Sequence, residues 1–161
     1  MTTGIRAGQN WPQGRALWID GQKRLACYLA YAGVLPPWLG LALHVAAPHA
    51  SAGFAIVAYA AIIVSFVCGM HWGVYLSAPV TAPINLLLTS NAGALFAWAM
   101  VPASFWSVPL ACIGLAIALA LLLIVDRRLM LATVLEPWFW RVRRNASIGL
   151  GAGLVVWSLV A

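Results

Sequence analysis

The stretch from Phe54 to Leu76 carries no Asp, Glu, Lys or Arg. As a helix it is long enough to cross the roughly 30 Å hydrocarbon core of a bilayer. A helix closes its own backbone hydrogen bonds, as a chain must where no water is at hand. The same reading extends to the rest of the sequence. Only 7% of the 161 residues are charged and 64% are hydrophobic, against about 25% charged in a soluble domain. Length then admits about five or six spans of roughly 20 residues and leaves no room for a soluble catalytic domain. The expected fold class is an all-α integral membrane bundle.

Five spans are expected, at about 25–46, 52–76, 84–101, 108–125 and 145–161, after a polar tail over 1–24. The tail has no apolar run of the kind a cleavable signal peptide needs. Pro36 and Pro37 fall inside the first span and predict a kink or break, because proline removes a backbone donor and crowds the preceding turn. Between the fourth and fifth spans, residues 126–144 mix Trp138 and Trp140 with Arg127, Arg128, Arg141, Arg143 and Arg144. Bulky aromatics among arginines suit a helix lying in the membrane interface.

Every Lys and Arg lies in residues 1–24 or 127–144. With five spans these segments share a side, and the positive-inside rule makes it cytoplasmic, with the N-terminus inside and the C-terminus outside. The expected location is a bacterial inner membrane. The net charge of +6 is then a topology signal and a source of lipid-headgroup contacts, so membrane lipids and not nucleic acid are the expected partners.

This orientation gathers the polar side chains at one depth. His71 closes the second span on the cytoplasmic side. Asn85 and Asn91 open the third there, Tyr28 and Tyr31 open the first, Asp126 closes the fourth, and Asn145 and Ser147 open the fifth. An ionisable group at membrane depth is a functional suspect. One reading is an inner-leaflet pocket around His71 that holds a quinone, a lipid head group, a metal or a proton. The other is that these groups bond one another and fix the packing, since interhelical hydrogen bonds of about 0.6–2 kcal/mol need no ligand to explain them. His71 is expected to be a neutral imidazole, bonded to the Asn85–Asn91 segment or to a span-1 tyrosine. Gly69 and Gly73 bracket it in a small-xxx-small pair, and Gly149 and Gly153 repeat the spacing in the last span. Both pairs are expected to admit a close neighbouring helix.

Catalytic signals are weak. No Ser-His-Asp pattern, P-loop or G-x-G-x-x-G is present. His44 and His49 face the opposite leaflet from His71, which argues against a metal or haem, and Cys27, Cys68 and Cys112 lie in separate apolar stretches. No catalytic residue, metal ligand or required cofactor is expected, with quinone or lipid left open.

The run Ser65-Phe-Val-Cys-Gly-Met-His-Trp-Gly73, with Tyr31 to Pro36, Asp126 and Pro137-Trp-Phe-Trp-Arg141 in order around it, resembles a family of bacterial and mitochondrial membrane proteins grouped as a domain of unknown function. That family includes the mitochondrial transmembrane protein 69. The resemblance covers about 25–161 and implies the membrane fold. Where many members carry a second glycine before the histidine motif, this chain has Cys68. The expected role is an accessory or assembly subunit of a larger membrane complex, plausible in a respiratory setting, with other membrane subunits as partners. The alternative is a module that binds quinone, lipid or proton around His71.

Overall fold

The computed structural model describes residues 13–77 and 84–161, and among them every regular element is helical. Residues 1–12 of the expected tail and residues 78–83, between the second and third expected spans, lie outside the described residues. The helices are α1 (Gln13–Ala32), α2 (Leu35–Ala46), α3 (Ala52–Ser77), α4 (Leu86–Ala103), α5 (Val108–Leu131) and α6 (Pro137–Val160). Four stretches are long and apolar enough to cross a membrane: Asp20–Ala46, Ala52–Leu76, Leu86–Ala103 and Val108–Leu131. The 24-residue α6 packs along α5 as a fifth. Its length of about 36 Å at 1.5 Å per residue equals that of α5, although the arginines of its first turns keep it from being apolar throughout.

Local sequence explains most of the ends. Pro36 and Pro37 occupy the first turn of α2, where the missing N–H groups would have had no helical partner in any case. The predicted break therefore falls just before them, at Gly33–Val34. Asn85 caps α4 by accepting from the Leu88 amide at 3.1 Å, and Ser107 caps α5 by accepting from the Leu110 amide at 3.3 Å. Both side chains satisfy amides that the first turn leaves free.

The break in the first span has its own repair. The Gly33 carbonyl lies at the break, just ahead of the first turn of α2. Tyr59 of α3 donates its hydroxyl to that oxygen at 2.7 Å. Two tryptophans fasten the same region to α6. Trp157 Nε1 donates to the Pro37 carbonyl at 2.8 Å, and Trp38 Nε1 donates to the Gly149 carbonyl at 3.1 Å. Such bonds have no water to compete with them in the bilayer.

Asp126 to Leu131 continue α5, Ala132–Glu136 form the connection, and the aromatic and arginine run 137–144 makes the first two turns of α6. The expected interfacial segment is thus divided between two long helices. The turn between them is a Schellman motif: the Val134 amide donates to the Leu129 carbonyl at 2.9 Å and the Thr133 amide to the Met130 carbonyl at 3.0 Å. Its left-handed position is Thr133, with φ of 58°, where glycine is usual.

The core is formed by α3, α4, α5 and α6 around small and medium side chains, among them Val57, Ala60, Val64, Ala97, Ala111 and Leu115, with Trp157 sealing one end. Among helices in lipid, close packing replaces the hydrophobic effect as the cohesive term. α1 stands apart, meeting α6 and α2 and turning Tyr28 and Tyr31 outward.

Candidate functional site

Asp126 lies in the second turn before the end of α5, and Arg143 in the second turn after the start of α6. An antiparallel hairpin places such positions face to face. Arg143 donates from Nε and Nη2 to Asp126 Oδ2, at 3.2 and 2.9 Å. The other carboxylate oxygen is taken by α3: His71 Nε2 lies 2.8 Å from Asp126 Oδ1. Because a carboxylate only accepts, Nε2 must carry the hydrogen. Asp126 and His71 are each 1% exposed. The Asp126 carboxylate and the Arg143 guanidinium balance each other's charge. His71 Nδ1 is buried without a hydrogen-bond partner among the described residues.

Arg143 also lines a cleft. A cavity of about 550 Å³ opens between α1 and α3 and is floored by α6. Its walls are apolar, with Leu29 and Ala30 on one side and Ile63, Phe66 and Met70 on the other. Polar groups enter from α6, where Arg143 is followed one turn later by Ser147. The volume lies within the range of about 300–1,000 Å³ typical of small-molecule sites. At one end Trp138 and Phe139 contribute to the wall. There Lys23 of α1 lies 5.6 Å from the Trp138 ring centre and 4.0 Å from Glu136, which also accepts from Trp138 Nε1. The start of α1 and the α5–α6 connection are therefore neighbours.

The structure joins His71 to Asp126 and takes the other expected pocket residues elsewhere, which corrects the predicted acceptor. Asn85 is committed to capping α4, and Asn91 is exposed, donating back to the Leu87 carbonyl at 2.7 Å. Tyr28 and Tyr31 are exposed on the outer face of α1. Equal depth in the membrane left the helix faces undetermined, and these residues point away from His71. The expectation for Gly69 and Gly73 is also corrected within this chain: a Cβ on either would meet nothing within 4 Å. Gly149 and Gly153 do admit a neighbour, α2, since added Cβ atoms would lie 2.8 Å from Val34 and 3.3 Å from Pro37.

Of the residues assigned to the interface, Arg143 is the one drawn inward, while Arg127, Arg128, Arg141 and Arg144 remain exposed and Trp138 and Trp140 half-buried. Arg144 donates to its neighbour Asn145. Sequence reasoning placed Ser147 at the right depth and missed Arg143 as a site residue. The available signal was that Asp126 and Arg143 stand at matching distances from the turn that joins their helices. Cys68 sits buried where an added Cβ on Gly93 would meet its sulfur at 2.8 Å. Among the described residues no group of three or more His, Cys, Asp or Glu side chains could hold a metal.

Fold and site together define a multi-pass helical membrane protein with a buried His–Asp–Arg cluster at the edge of a lateral cleft. Residues 22–159 match the family described as "Protein of unknown function (DUF3429)", and the chain belongs to that family. No match was found among curated proteins or solved structures.

Proposed function

We propose that the protein is a membrane-embedded binding module for a lipid-like small molecule, held in the cleft between α1, α3 and α6. The observation that carries this reading is the pairing of a roughly 550 Å³ apolar cavity with Arg143, whose position is fixed by Asp126. Binding sites of this kind combine an apolar body with a few well-held polar groups. With the basic residues of α1 and of the α5–α6 region at one end, the positive-inside rule puts that end in the cytoplasm and the C-terminus outside. In a bacterial inner membrane the cleft would then face the inner leaflet. Purification in mild detergent followed by solvent extraction and mass spectrometry tests the reading. A stoichiometric amphiphile should accompany the protein and be lost from Ala30→Phe, which fills the cleft. Protein free of any such molecule, or equal retention by the filled variant, would refute it.

A second reading, an accessory or assembly subunit of a larger complex, is favoured by one observation. The Gly69 and Gly73 face of α3 is open to close approach, and none of the described helices takes it. Small-xxx-small faces of this type serve helix association. Gly69→Leu should release a partner subunit from the detergent-solubilised protein while leaving the chain itself folded. The absence of a stoichiometric protein partner in the wild type would count against this reading.

A further inference from the structure

We propose that the head group bound in the cleft is an uncharged oxygen acceptor, a carbonyl, so that the ligand class is a long-chain quinone or ketone and not a fatty acid or phospholipid. This inference rests on the lipid-binding reading above and narrows it.

Two polar groups of α6 remain for a ligand. Arg143 uses Nε and Nη2 on Asp126, and its Nη1 has no partner among the described residues. Ser147 lines the same cleft, is 6% exposed, and its hydroxyl makes no hydrogen bond among the described residues. Serines in helices normally turn back on a carbonyl of the preceding turn. Ser90 and Ser158 do so here, at 3.1 and 2.7 Å. Ser147 does not, so its hydroxyl is left as a nearly buried donor one turn from Arg143, on the same face of α6. Guanidinium N–H groups only donate. The pair therefore calls for an acceptor oxygen.

Charge decides which acceptor. The Arg143 cation is already balanced by Asp126, and His71 occupies the other carboxylate oxygen. A carboxylate or phosphate brought to Nη1 would add a second anion beside Asp126, competing for a guanidinium that the Asp126 carboxylate already holds. An uncompensated charge in a low-dielectric interior costs far more than a neutral acceptor does. A carbonyl accepts from both donors and leaves the local charge unchanged. The apolar walls formed by Leu29, Ile63, Phe66 and Met70 then take the chain.

The test uses the full chain in lipid nanodiscs with two probes that share a ten-carbon tail: a decyl-substituted benzoquinone and decanoate, each radiolabelled. Retention is measured against empty nanodiscs. The benzoquinone should be retained and decanoate should stay at the level of empty discs. Ser147→Ala should weaken benzoquinone retention by about tenfold, the equivalent of one ordinary hydrogen bond. Ala30→Phe should abolish it. Retention of decanoate without the benzoquinone would overturn the head-group assignment and leave lipid binding intact. Benzoquinone retention unchanged in Ser147→Ala would overturn its placement on α6. Retention of neither probe, from protein that carries a phospholipid, would overturn this inference alone. Retention of neither, from protein that carries no amphiphile, would overturn both readings.

Discussion

Arg143 meets Asp126 through two nitrogens on one oxygen, across the turn that joins α5 to α6. The contact leaves Oδ1 free for α3, so a single carboxylate ties three helices together. Removing the carboxylate should cost more than removing either partner. Asp126→Asn leaves a largely buried guanidinium without its counter-charge, and breaking a buried pair in this way costs about 3–5 kcal/mol. Thermal unfolding in detergent should show the loss, and a variant as stable as the wild type would remove the cluster from the account of stability.

His71 has a smaller effect of a different kind. His71→Ala deprives Oδ1 of a donor and should destabilise by about 1–3 kcal/mol. His71→Gln retains an N–H able to reach Asp126 and should restore most of the folded yield. If both variants fold normally while ligand retention falls, the imidazole serves the ligand and not the bundle.

The Tyr59 hydroxyl donates to the Gly33 carbonyl at the break between α1 and α2. Tyr59→Phe should therefore cost about 1 kcal/mol, the usual net worth of a hydrogen bond. Thermal unfolding in detergent reads the loss, and an unchanged melting temperature would show that this bond adds nothing to the stability of the break.

Thr133 holds a left-handed backbone, a conformation that strains a β-branched residue. Thr133→Gly should relieve about 1–2 kcal/mol of that strain, less whatever glycine gains in the unfolded chain. The expected result is a modest rise in melting temperature with ligand retention unchanged; a fall would mean that the threonine side chain holds the turn.

The two glycine pairs should respond oppositely. Gly149→Leu drives a side chain into Val34 and should destabilise by about 1–3 kcal/mol. Gly73→Leu projects into open space beside α3 and should leave the melting temperature of the isolated chain unchanged. Equal effects from both would mean that the α3 face is covered within the folded chain.

The spans were legible because hydropathy and the exclusion of charge act over long stretches, so errors of a residue or two cancel. The break before Pro36 was legible for a local reason, the missing N–H. The site was legible only in part. Depth in the membrane follows from position along the chain, and it marked His71 and Asp126 as neighbours in height. Rotation about each helix axis follows from packing, and uniform hydrophobicity around these helices gives it no signature. That is why Asn91 and the tyrosines were grouped with residues they do not face. Arg143 was misplaced for a further reason: arginine at a membrane edge ordinarily marks topology, and only the antiparallel partner reveals that this one is paired.

The Asp126–Arg143 contact also bears on how the chain enters the membrane during synthesis. An acidic or basic residue carried into the bilayer alone costs up to about 2.5–3.5 kcal/mol on insertion scales. The ribosome completes α5 before Arg143 exists, so a fourth span released on its own would carry an unneutralised aspartate, and α6 arriving later would carry an unneutralised arginine. Held at the translocon until both are made, the two helices can leave as a hairpin with the charges already joined. The strained turn at Thr133 is the segment that must close for that to happen, so its substitutions bear on biogenesis as well as on the finished fold.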